Sequence, residues 1–362
     1  MVGVRRGRRR GTWQRGARAR GGAPRATLTA AVAAALLAAG CAAGPGPTPD
    51  DDGRGSALQP SRSAEAATSS PPAVKTPSPP AVKSASPQAV KAALPLAVKI
   101  DNVRAARPHT GLEAADVVYV EPVEGGLSRL MALYATKLPS TVGPVRSARE
   151  SDLELLRQFD RPTLAFSGAQ RKLLPRIDSA PVRAEQPSRT PGAWVRDIGR
   201  PAPHNLYLRP GRLVSPAPGA TALTTGFRYG AAPSGGRTES ARTVRYPAAR
   251  FTFTWSKERD RWLIDMDGAP AVTSGGKRLA PATVVVQYVK VRESKLHDSR
   301  GNHSPYVETV GSGRADVLRD GRTHSAAWRR GSATDGTAFT TADGSPARFA
   351  EGQVWVVFAR AS

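Results

Sequence analysis

From about residue 95 onward the sequence predicts an α+β protein, and three observations carry that prediction. The stretch 96–235 alternates strand-like runs such as DVVYVEPV with the helix-spaced LELLRQF. From about 245 the texture turns mostly β, and Asp320-Gly321 and Asp343-Gly344 mark hairpin turns within it. We therefore divide the folded part into a mixed domain, 96–235, and a β-rich domain, 245–362, joined by GAAPSGGRTESARTVR at 230–245, which has linker composition.

Ahead of the folded part the composition is very different. The first 40 residues hold nine arginines and no acid, and the 13-residue run LTAAVAAALLAAG ends at Cys41. A basic start, a short apolar run and a small-residue exit describe a signal peptide over 1–40. The run falls short of the ~20 residues that a membrane span needs. Ala38-Ala39-Gly40-Cys41 resembles a bacterial lipobox, with Leu37 one place further back than is usual. Cys41 is the only cysteine of the chain, which leaves no disulfide within it and makes Cys41 the expected lipid acceptor. Residues 41–95 are rich in Pro, Ala and Ser and carry the repeat PPAVKTPS, PPAVKSAS, PQAVKAAL, PLAVKIDN, a low-complexity stalk that cannot bury a core. A flexible stalk of this length averages about 40 Å end to end.

Charge points to negatively charged neighbours. The whole chain is formally +24; without the nine leader arginines, 44 basic residues face 29 acidic ones, an excess of 15. Anionic lipid or an anionic envelope polymer suits this surplus. Nucleic acid is the weakest fit, because the basic residues are spread along the chain and no nucleic-acid motif accompanies them.

In chain order, AVKI enters the first strand of the folded part. DVVYVEPV and LSRLMALYA follow, separated by Glu124-Gly125-Gly126, a hairpin signature. A two-residue Gly125-Gly126 turn would set Glu124 opposite Leu127, Pro122 opposite Arg129 and Val120 opposite Met131. Glu124 and Arg129 would then share a face, and Glu121 would point to the other. Next comes VGPVRSARESD, residues 142–152. Ser147-Ala148-Arg149-Glu150 fits a capping box, with Ser147 as N-cap, ahead of the helically spaced Leu153, Leu155, Leu156 and Phe159. The same stretch sets Arg146 and Arg149 beside a helix start, where free N–H groups also favour an anion. PTLAFS reads as a buried strand, QRKLLPRID as a short helix, and RDIGRPAPHNLY, 196–207, as a loop carrying His204 and Asn205. In the second half, RFTFTW and RWLIDM flank the turn KERD, and TVVVQYVKV, YVETV, RADVL and QVWVVFA are further strands. RESKLHDSRGNHS reads as a polar loop; its His297 and His303 lack a convincing third ligand, so no metal site is expected.

The blocks VKIDN, ARPHTGLEAADVVYVEPVEGGLSRLMALY, VGPVRSARESD, HNLY, GSGRADVLRDGR and DGSPARFAEGQVWVVF, in that order, resemble the YerB-like bacterial lipoproteins, a family whose domain carries an unknown-function label. Leu127 departs from the isoleucine or valine usual there, a packing change. The resemblance implies lipoprotein attachment and a layered β/β/α sandwich of two sheets and helices, and it supplies no substrate. The polar positions matching its blocks are Asp101, Asn102, Arg107, Glu121, Glu124, Arg129, Arg146, Ser147, Arg149, His204 and Asn205.

Three functions compete for these residues. A binding module would hold an anionic ligand or wall polymer with Asn102, Arg107, Arg129, Arg146, Ser147, Arg149 and Asn205, since a guanidinium fork grips carboxylate or phosphate at two points. An envelope-polymer hydrolase would take its acid and base from Asp101, Glu121, Glu124 and His204. A scaffold would recruit another envelope protein. No nucleophile elbow, zinc motif or nucleotide loop is found, and no cofactor is expected. Several arginines against one well-placed histidine favour recognition, in a protein held outside the cytoplasm by lipid on Cys41.

Overall fold

Leu96–Asp101 (β1) is buried at all six positions, although it carries Lys99 and Asp101. A strand is covered on both faces only between two layers, and β1 marks that place. The computed structural model describes residues 94–215, 217–298 and 301–361; the leader, Cys41 and the AVK repeats as far as residue 93 lie outside the described residues.

After β1 come β2 (Val117–Pro122), β3 (Ser128–Tyr134), α1 (Glu150–Leu156), β4 (Thr163–Ala165), α2 (Leu174–Ser179), β5 (Arg183–Glu185), β6 (Trp194–Arg196) and β7 (Leu206–Leu208). The second half runs β8 (Arg237–Thr238), β9 (Ala241–Tyr246), β10 (Ala249–Ser256), β11 (Arg261–Met266), β12 (Ala269–Pro270), β13 (Thr283–Val289), β14 (Val291–His297), β15 (His303–Val307), β16 (Gly311–Arg319), β17 (Arg322–Arg330), β18 (Ala338–Thr340) and β19 (Val354–Arg360). The main sheet has the order β18-β17-β16-β13-β19-β2-β3-β1-β4-β5, with β8 also paired to β17. Its last strand in sequence, β19, lies parallel to both β13 and β2, so one sheet runs through both halves of the chain. A second, antiparallel sheet has the order β12-β11-β10-β9.

Alternation along β1, β2 and β3 separates two cores. Leu96, Val98, Ile100, Val118, Val120 and Leu130 gather with Phe251, Phe253, Trp262 and Ile264 of the second sheet. Ala97, Val117, Tyr119, Met131 and Leu133 gather with Leu155, Leu156, Phe159 and Ile177 from the helical segments. The protein is mostly β with few helices. Both α-helices are short, seven and six residues, which is less helix than the mixed signals of 96–235 predict. The Arg330 guanidinium takes the carbonyls of Glu154 (2.9 Å) and Leu155 (3.4 Å) and so closes α1 at its carboxyl end.

Strong alternation and turn chemistry produce the strands read from them. RFTFTW and RWLIDM pair across their turn, and Asp320 (φ 51°) and Gly321 (φ 69°) join β16 to β17 as a two-residue turn. Three local expectations are corrected. The β2–β3 connection has three residues, Glu124–Gly126, so Glu121 pairs with Arg129, Pro122 with Ser128 and Val120 with Leu130. This one-residue shift moves Glu121 onto the Arg129 face. Both glycines are left-handed (φ 67° and 69°), and a Cβ on Gly126 would meet Pro247 Cβ at 2.5 Å, so docking against the β9–β10 turn demands the longer loop. Second, Ser147 does not cap α1. Arg149 is the N-cap, and its backbone N–H donates to Asp152 Oδ2 (2.7 Å), which shifts the box two residues along. Glu150 instead meets Arg176 and Ser294. Third, RESKLHDSRGNHS is no simple loop: β14 and β15 form an antiparallel ribbon that turns Ser294 and Leu296 inward. The 196–207 segment is mostly loop, as read, and residues 197–205 join β6 to β7 in a hairpin.

Candidate functional site

Where β1 and β3 end beside the 142–152 segment, a cleft of about 630 Å³ opens. Asp101, Ser128 and Arg129 come from the strand ends, Glu124 and Leu127 from the β2–β3 turn, and Arg146, Ser147 and Arg149 from the approach to α1. Pro203 and His204 reach it from the tip of the β6–β7 hairpin, and Asp298 from the end of the β14–β15 ribbon. Seven of the sequence-chosen polar residues therefore line one hollow: Asp101, Glu124, Arg129, Arg146, Ser147, Arg149 and His204.

The strand register explains the grouping. Asp101 and Glu121 both pair with Arg129, so the three project from one rung on one face of the sheet. Asp101, 2% exposed, accepts from His204 Nδ1 (2.7 Å) and lies 3.1 Å from Arg146 Nε. Glu124 receives a two-point bond from Arg149, Nε to Oε1 at 2.5 Å and Nη2 to Oε2 at 2.7 Å, and the hydroxyl of Ser304 on β15 also donates to it. Burial alone would raise the Glu124 carboxyl, but the Arg149 bonds and charge, with Ser304, hold it below its usual range. Arg149 spends its Nη1 donors on the Ser147 and Ala148 carbonyls (3.5 and 3.0 Å).

Arg129 stands apart from these pairs. It is 9% exposed, and its one hydrogen-bond acceptor among the described residues is the Ser147 carbonyl at 3.0 Å. No carboxylate lies within ion-pair distance of it among the described residues. Burial and the neighbouring Arg149 charge, then Arg146, lower its pKa to about 10 against the opposing pull of the Glu124 and Asp101 carboxylates, which leaves it cationic at neutral pH. A buried guanidinium with spare donors beside two others is unfavourable until an anion joins it.

Four candidates lie off the cleft. Glu121 is buried behind it in contact with Lys99. Asn102 donates to Ser128 Oγ (2.9 Å), and Arg107 reaches Asp267 (2.8 Å), the Asn102 carbonyl (2.7 Å) and the Asn102 side chain (3.2 Å), tying β1 to the second sheet. Asn205 accepts from Arg196 (2.8 Å) and donates to the Arg200 carbonyl (3.2 Å), which braces the hairpin tip next to His204. The proposed lipid site, Cys41, is not among the described residues.

Lys99, Asp152 and Ser128 were missed by reading the sequence. Lys99 is fully buried beneath the cleft, bonded to Asp152 Oδ1 (2.7 Å) and Glu121. Burial pulls its pKa down to about 8 against the favourable Asp152 charge. A signal was present: Lys99 and Asp101 occupy alternate positions of the apolar strand LAVKID and so share a face. A larger hollow of about 790 Å³ lies near Gly236, Arg237, His324 and Arg348, but the buried, convergent charges are at the smaller cleft.

Residues 83–223 match the family model for the N-terminal domain of a protein of unknown function, DUF3048, and residues 242–356 match its C-terminal domain. Over 61 residues the chain is 44% identical to "Putative lipoprotein YerB" of Bacillus subtilis, a match that covers 17% of this chain and 18% of that relative. The matched segment thus spans under a fifth of that relative's length. The crystal structure of the YerB protein from Bacillus subtilis is similar in fold, with a TM-score of 0.60 at 20% identity, covering 74% of this chain and 90% of that one.

Proposed function

The chain belongs to the YerB-like family, and from that premise we propose that it is an extracytoplasmic lipoprotein whose cleft binds an anionic group of a cell-envelope polymer or a small anionic ligand. In this reading Cys41 carries the lipid, the AVK stalk lifts the globule, and the second sheet and helices form the layers of a β/β/α sandwich around the site. The supporting observation is Arg129: a nearly buried guanidinium, without a carboxylate partner among the described residues, facing a hollow beside Arg146 and Arg149. Arg146, whose side chain is 26% exposed and which is tied through Nε to Asp101, has its two terminal nitrogens without a partner among the described residues and so available to the same anion. Arg149 serves differently, since Glu124 and two carbonyls occupy it; it contributes charge and holds the 146–149 segment in place. The contribution from α1 is small, because the helix is only seven residues long and the Asp152 carboxylate already sits at its start, taking the N–H of the N-cap Arg149.

Inorganic phosphate is the first probe. Titration calorimetry at low salt should show binding to the purified protein, and Arg129→Ala should weaken it about 10–100-fold, the worth of one or two charge-assisted hydrogen bonds. Equal affinity of the wild type and Arg129→Ala would remove the proposal. A Cys41→Ala protein should leave the membrane fraction.

A further inference from the structure

One feature of the cleft exceeds what anion binding requires. Asp101 is buried and accepts from His204 Nδ1 at 2.7 Å, while the imidazole lines the cleft with its side chain 20% exposed. A carboxylate oxygen only accepts, so a proton sits on Nδ1, and in the neutral tautomer that this bond selects the ring presents Nε2 as a lone pair. That nitrogen has no hydrogen-bond partner among the described residues. The ring is held from behind as well: Pro203 precedes it, and Asn205 locks the hairpin through Arg196 and Arg200. Asp101 is itself fixed by its rung on β1 and by Arg146 (3.1 Å).

We propose that the cleft hydrolyses a carboxylic ester carried on an anionic molecule, with His204 as general base and Arg129 as the donor to the oxyanion. The inference rests on the anion-binding reading, because Arg146 supplies the grip on the fixed charge of the substrate. In the first step Nε2 takes a proton from water as the water oxygen bonds to the acyl carbon, and the carbonyl electron pair moves onto oxygen beside Arg129. In the second step the C–O bond to the alcohol breaks, the carbonyl re-forms, and the departing oxygen takes the proton from Nε2. Ester and water become acid and alcohol, and His204 returns to its starting state.

The number of bases selects the acyl reaction over a phosphoryl one. Attack and departure at an acyl carbon occur on one tetrahedral centre, so a single imidazole serves as base and then as acid. In-line displacement at phosphorus puts the leaving oxygen on the far side and calls for a second group there. Among the described residues the cleft presents one imidazole; Asp101 and Glu124 are already engaged by cations, and Asp298 accepts from the Asn302 backbone N–H (2.9 Å) and side-chain amide (3.0 Å). A buried guanidinium with unused donors is the group that gains most when charge develops at the carbonyl oxygen. Asp101 is a positioning residue, acting through the ring.

The test uses the purified full chain with para-nitrophenyl para-sulfobenzoate, an activated anionic ester that cannot cyclise on itself, and para-nitrophenyl acetate as the neutral comparison. Nitrophenol release from the sulfobenzoate should exceed the spontaneous rate by about 100-fold or more, and His204→Ala and His204→Gln should each abolish that excess. Asp101→Asn should lower kcat with KM little changed, a split that general loosening of the fold would not give. The acetate should react far more slowly. Phosphate calorimetry is run on every variant. Phosphate binding with no release above the His204→Ala rate overturns the hydrolase inference and leaves the binding reading standing. Absence of phosphate binding in the wild type overturns both.

Discussion

Lys99, Glu121 and Asp152 form a closed set beneath the cleft, whereas Arg129, Arg146 and His204, on or beside the next rung of the same sheet face, open into it. In the closed set Lys99 is fully buried, and its ammonium is bonded to both carboxylates. In the open set Asp101 holds Arg146 and the His204 imidazole, and Arg129 is left with a single carbonyl among the described residues. Charges that satisfy one another in the interior mainly specify which strands and helix meet. A charge kept nearly buried without a carboxylate in ion-pair contact among the described residues is available to a ligand. Lys99 and Asp101, the centres of the two sets, are two residues apart on β1, and Glu121, on the Arg129 rung, belongs to the closed set because it meets Lys99.

The sharpest way to break this contrast is to damage the closed set. Lys99→Met leaves Glu121 and Asp152 facing each other without a cation and should cost about 3–5 kcal/mol, read as a lowered denaturant midpoint. Lys99 also sets an alkaline trend. Its folded pKa, about 8, lies below the ~10.4 of the unfolded chain, so between those values the unfolded state holds a proton that the folded state lacks. Its contribution to stability therefore rises with pH across that window, and Lys99→Met should flatten the rise. Replacing Arg129 in the open set should cost far less stability while weakening phosphate binding about 10–100-fold. A loss of stability for Arg129→Ala equal to that for Lys99→Met would erase the distinction.

An intermediate effect is expected at Glu124, which belongs to the cleft wall yet is closed by Arg149. Glu124→Gln should cost about 1–3 kcal/mol, because it strips a part-buried guanidinium of its counterion. The pH dependence has a definite sign. A carboxyl held below its unfolded value stabilises the fold above about pH 4.3 and loses that contribution as the pH falls through the folded value. The gap between wild type and Glu124→Gln should persist at pH 7 and close in acid, as followed by thermal melts. The smallest effect is expected at Ser304, whose hydroxyl links the β14–β15 ribbon to Glu124. Ser304→Ala should cost about 1 kcal/mol, and a cost near zero would mean that the ribbon is held without this link.

Much of this contrast was legible in the residues. The arginines and acids of VGPVRSARESD, the Asp101 strand end and the HNLY segment were all selected, and the cleft brings seven of the chosen side chains together. Lys99 escaped because one lysine in a repeat-like AVKI resembles the three lysines of the preceding copies, and only its burial sets it apart. Glu121 was assigned to the wrong face by a turn one residue too short, an error that reverses every side chain on a strand. Asp152 was overlooked because Ser147 and Glu150 offered the more familiar capping pair.

By itself the sequence determined the β texture of the second half, the Asp320-Gly321 turn, the strand that AVKI enters and the concentration of charged groups near residues 101, 129 and 146–149. Those features follow from side-chain alternation and turn preference, which act over a few residues. Tertiary structure alone decided that β19 would lie between β13 and β2, that the β14–β15 ribbon would close the cleft wall with Ser304, and that Arg129 would go without a carboxylate partner among the described residues. Those outcomes depend on which distant segments compete for the same space and charge, and local pattern carries no record of that competition.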